Sequence, residues 1–73
     1  MKWVSVKKQL PPFGEDVLVY MTNDVSPTPF IDLMYRCESD NGYWDWYFTY
    51  NKNLALKSHI SHWTTFTAPK DEE

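Results

Sequence analysis

His59 and His62 stand three residues apart, and a lone Cys37 lies upstream, so metal binding and thiol chemistry are the first to weigh. Two histidines at i, i+3 share one face of a helix, but on a strand the odd spacing turns them to opposite faces. Residues 58–67 (SHISHWTTFT) read as a strand. Adding Cys37 gives three ligand candidates, with neither a CxxC nor an HExxH spacing among them. No metal and no other cofactor is expected, and His62 reads as a hydrogen-bonded neighbour of Trp63. A Cys37/His62 nucleophile pair, with Asp32 or Asp45 orienting the imidazole, would need a stabilised thiolate. Glu38 and Asp40, close to Cys37 in sequence, disfavour an anion there. Glu15 and Asp16 fall in a turn, and two glycines, Gly14 and Gly42, do not make a phosphate-cradling loop. No enzymatic activity is expected.

The aromatic run 43–50 (YWDWYFTY) carries a different kind of chemistry. Alternation along a strand puts Trp44, Trp46, Phe48 and Tyr50 on one face and Tyr43, Asp45, Tyr47 and Thr49 on the other. The first set, with Trp3, Val17, Val19, Leu33 and Trp63, supplies the expected core. Tyr43 and Tyr47 then form an amphipathic platform of the kind enriched at interface hot spots. The competing reading is ordinary surface, covered by the loop at 22–29. Candidate binding residues are therefore Tyr43, Tyr47, Asp45 and Arg36. A protein target is preferred, because Asp45 separates the two tyrosines and Asp32 and Asp40 lie close in sequence. Two alternatives stay open. One is a nucleotide or single-stranded nucleic acid, with bases stacked on aromatics and Lys2, Lys7, Lys8 or Arg36 meeting phosphate. The other is a structural accessory protein that forms a homo-oligomer.

The elements that must position these residues read as strands. Residues 3–6 (WVSV) are short and β-branched, and 17–21 (VLVYM) are continuously apolar, which predicts burial on both faces. Residues 30–36 alternate, with Ile31, Leu33 and Tyr35 on one face and Asp32 and Arg36 on the other. Leu10-Pro11-Pro12 leading to Gly14 makes a rigid turn, and Asn41-Gly42 is a hairpin signal before the aromatic strand. Residues 51–57 fit either one helical turn or a loop. Five short strands without a long helix predict an all-β fold, a small five-stranded antiparallel sheet rolled into an SH3-like barrel or half-barrel. Closure would remove edges that an aromatic-rich sheet exposes at its peril.

Seventy-three residues make one domain, expected over 1–69, followed by a frayed acidic tail at 70–73. Thirteen aromatics, 18% of the chain, allow so short a sequence to fill a core and exclude general disorder. The longest apolar runs fall far short of a membrane span, and the opening residues lack the features of a signal peptide. A single cysteine fits a reducing, cytoplasmic setting. The net charge is −3; the tail supplies −2 of this, one lysine against three carboxylates, and leaves −1 for the rest. Lys2, Lys7 and Lys8 make one end basic, while residues 15–45 hold seven carboxylates against Arg36. So sparse a set of cations disfavours duplex DNA.

Trp3-Val4-Ser5-Val6, Leu10-Pro11, Gly14 and Val17-Leu18-Val19-Tyr20 resemble the opening of a small phage and prophage family, the domain-of-unknown-function family numbered 551. Members open on W-I-S-V, L-P, G and V-L-V-Y and close on a T-H-W segment, where this chain has Ser61-His62-Trp63. Pro12 and the 64–67 segment (TTFT) depart from that pattern. The resemblance implies a phage or prophage origin, a one-domain β fold and the cytoplasm of an infected bacterium. By analogy with small inhibitors of host defence, it also implies docking on a host or phage protein. It transfers no catalytic residue.

Overall fold

A computed structural model describes residues 2–22 and 28–66. The tail at 70–73 and most of the 22–29 loop lie outside the described residues. Six strands form one antiparallel sheet: β1 (Val4–Ser5), β2 (Val17–Met21), β3 (Phe30–Glu38), β4 (Trp44–Phe48), β5 (Leu54–Ala55) and β6 (Ile60–Thr64). Their spatial order is β1-β6-β2-β3-β4-β5. The all-β expectation holds, with six strands in place of five. The sheet is open, since β1 and β5 are its two edges and pair only inward, to β6 and β4. The ambiguous 51–57 stretch contains β5 and the first residue of a 3-10 turn, Lys57–His59.

Cross-strand partners share a face, so the registers sort the side chains into two sets. Val17 faces Met34, Val19 faces Trp63, Arg36 faces Trp46 and Trp46 faces Ala55. This inner face holds the core: Val17, Val19, Met21, Met34, Trp46, Ala55, Ile60 and Trp63, with Trp44 and Phe48 half-buried against it. A loop over 6–16 closes it. Its Pro11 is fully buried, and the Trp63 indole Nε1 donates to the Gln9 carbonyl at 2.8 Å. Gly14 takes a positive φ of 79° as its amide donates to the Arg36 carbonyl at 2.8 Å, tying the loop to β3. Gly42, at φ 87°, turns the β3–β4 connection, which Ser39 and Tyr43 close through a 2.7 Å backbone bond.

Several expectations are corrected. The apolar set on β3 faces the opposite way: Met34 and Arg36 are buried, while Leu33 and Tyr35 are half-buried and Ile31 is exposed on the outer face. Strand β2 is buried only at alternate positions, with Leu18 and Tyr20 half-buried on the outer face. Trp3 belongs to that outer face as well, since Val4 pairs with Trp63 on the inner one. Tyr50 lies beyond β4 and is 76% exposed, outside the core. Residue size and apolar character are equally at home on two faces; only the register decides between them.

Candidate functional site

The outer face carries the side chains that could do work. Tyr35 and Tyr47 are cross-strand partners on β3 and β4, and their rings stack at 5.7 Å with an interplanar angle of 22°. Leu54 follows next to Tyr47 on β5, and Leu18, Leu33, Tyr20 and Ile31 continue the apolar surface toward β6. Lys52 sits over the Tyr35 ring at 5.7 Å. Among the described residues this surface has no second layer, because the 6–16 loop reaches Trp63 and Arg36 on the inner side.

Of the four residues expected to bind, three come together. Asp45 and Tyr47 share the outer face of β4, and Tyr43, 71% exposed, precedes that strand. Asp45 makes a solvent-exposed ion pair with Lys57 at 3.9 Å. Arg36 does not join them. It lies on the inner face, 7% exposed, with its guanidinium 4.2 Å from the Phe13 ring centre and 4.3 Å from that of Trp44. Its Nη1 donates to the Pro11 carbonyl, and its buried Nε has no partner. Burial pushes the guanidinium below its usual pKa, and the Glu38 carboxylate opposes the shift. Arg36 is thus a structural cation held by two rings and a carbonyl.

Cys37 is exposed on β3 opposite Asp45, and His62 is on β6 opposite Tyr20. Two strand spacings and six residues along β3 separate them, roughly 20 Å. That distance precludes a nucleophile pair. No group of three or more metal-binding side chains occurs among the described residues. No described helix is long and apolar enough to cross a membrane.

A second cluster was not read from the sequence. Trp3 lies edge-on to Tyr20 at 5.9 Å and 71°, and Tyr20 edge-on to His62 at 6.4 Å and 87°. The three rings line a recess of about 320 Å³. A bulge in β6 adjoins it: Tyr20 pairs with His62 and Met21 with Ile60, leaving Ser61 as the extra residue. Ser61 Oγ lies 2.9 Å from His62 Nδ1 and reaches the Tyr20 carbonyl at 3.5 Å, which orients the imidazole. The available signal was parity: Trp3 and Ser5 alternate with Val4, and Tyr20 with Val19, but the match to His62 depends on β6 lying between β1 and β2, which no local signal announces.

Compared with known proteins, the chain matches no family model, no curated protein and no solved structure.

Proposed function

We propose that the chain is a non-catalytic binding protein whose outer sheet face, around Tyr35, Tyr47 and Tyr43, docks on another protein and modulates it. The observation that carries this is a stacked tyrosine pair flanked on the same face by Ile31 and Leu54, 53% and 58% exposed. Contiguous apolar surface of this kind is costly to leave in water and marks interaction sites. The tyrosines bring rigid, amphipathic area, and the Asp45–Lys57 pair supplies a charged rim. The resemblance of residues 3–20 and 61–63 to a phage and prophage family directs the choice of partner to a host or phage protein, with inhibition of host defence as the modulating role.

The test is capture from a bacterial lysate by the parent chain, Tyr43→Ala and Tyr47→Ala, with solution mass measured in parallel. A partner retained by the parent and bound about fivefold or more weakly by Tyr47→Ala supports the reading. Equal retention by all three overturns it, as does a dimer whose formation both tyrosine variants abolish; that result makes the face a contact between copies.

A further inference from the structure

We infer that the recess between Trp3, Tyr20 and His62 is a separate site that takes a mononucleotide, its base among the three rings and its phosphate toward Lys2 and Lys7. The recess is open to solvent, and its volume, about 320 Å³, is at the lower end of the range of small-ligand clefts. The two ring contacts are edge-to-face, at 71° and 87°, so each covers a face of one ring where the 22° stack of Tyr35 and Tyr47 covers a face of both. A planar guest finds π-surface there.

The ring edges match such a guest. The Trp63 indole is bonded to Gln9, whereas Trp3 Nε1, Tyr20 Oη and His62 Nε2 have no hydrogen-bond partner among the described residues. Three residues whose rings bear polar atoms line this apolar recess and suit a heterocycle with its own donors and acceptors.

Charge selects a phosphorylated guest. Lys2 adjoins Trp3, and Lys7 lies two residues beyond Ser5, the cross-strand partner of His62; both lysines are exposed. Neither β1 nor β6 carries a carboxylate. The described carboxylates nearest in sequence to β2, Glu15 and Asp16, precede its far end, and Asp16 accepts from Thr49 Oγ1 at 2.9 Å. On the outer face β4 carries Asp45, whereas Asp32 and Glu38 pair with Val19 and Trp44 on the inner one. A long polyanion leaving the recess across the outer face would cross β2 and β3 positions that carry no cation and reach Asp45 on β4, which favours a single nucleotide over a strand.

The test uses the full chain, titrated with the four common ribonucleoside 5′-monophosphates, their nucleosides, inorganic phosphate and a ten-residue single strand. Trp3 is the one tryptophan on the outer face, so stacking quenches its emission, and calorimetry gives the affinity. The expected result is saturable binding of at least one monophosphate, several-fold tighter than its nucleoside. Trp3→Ala weakens it about tenfold or more. Lys2→Ala combined with Lys7→Ala removes the advantage over the nucleoside and keeps the fold, since both side chains are exposed. Tyr43→Ala binds as the parent does, which separates this site from the protein-docking face. Failure of all four monophosphates to saturate at about 10 mM overturns the inference. So does indifference to the lysine pair, or a single strand that binds more than tenfold tighter than any monophosphate.

Discussion

Arg36 is a buried charge with no carboxylate bonded to it, clasped between Phe13 and Trp44. Cation–π attraction on both sides and one carbonyl offset part of the desolvation cost, and the orphaned Nε shows that the offset is incomplete. Two substitutions separate its volume from its charge. Arg36→Met fills the slot without the charge and is expected to melt at or above the parent temperature. Arg36→Ala opens a cavity, frees the loop at Pro11, and should cost about 2–4 kcal/mol in urea unfolding. Trp46, 1% exposed at the centre of the inner face, is less forgiving. Trp46→Ala should remove about 3–5 kcal/mol from a total on the order of 5 kcal/mol, leaving little folded protein by circular dichroism. Tyr47→Ala gives up its stack on Tyr35, about 1 kcal/mol, and remains folded. If Tyr47→Ala unfolds the chain and Trp46→Ala does not, the assignment of faces on β4 is reversed.

At the level of elements, alternation was legible and its direction was not. The spacing of Ile31, Leu33 and Tyr35 correctly puts these residues on one face of β3. The other face carries Asp32 and Arg36, whose polarity points away from a core, and the two rings that shelter the Arg36 guanidinium come from segments far apart in sequence. The Asn-Gly turn and the aromatic strand were readable because their signals are local. Strand β5, two residues long, carries too few positions for any period to register. The connection before it contains a position with a distinct requirement. Lys52 sits at φ 61°, in the left-handed region, while its amide donates to the Phe48 carbonyl at 2.7 Å. Relief of that strain in Lys52→Gly should outweigh glycine's entropy and the lost contact with Tyr35, for a net gain of about 0.5 kcal/mol. Lys52→Val, β-branched at the same φ, should lose about 1 kcal/mol or more. Paired urea titrations read both signs.

The whole molecule is a sheet sealed on one side. The 6–16 loop plugs the inner face through Pro11, Gln9 and Phe13, while the outer face keeps its apolar side chains without a described covering layer. The core and the proposed docking surface therefore occupy opposite sides of the same strands. Replacing Ile31 and Leu54 together with threonine, which suits a strand, should change unfolding free energy by no more than about 1 kcal/mol. A loss above about 2 kcal/mol would mean that this face is packed against something within the chain.

The two-sided sheet also sets how the lineage can change. Substitutions at Val17, Val19, Met34, Trp46 and Trp63 are filtered by folding, since each removes buried volume. Those at Ile31, Leu54 and Tyr43, which are largely exposed, escape that filter and answer to whatever the surface touches. Descendants facing altered partners can remodel one side of every strand at alternate positions while the other side stays as it is. The domain is in that sense a fixed frame with a rewritable face, and divergence among its relatives will have a period of two.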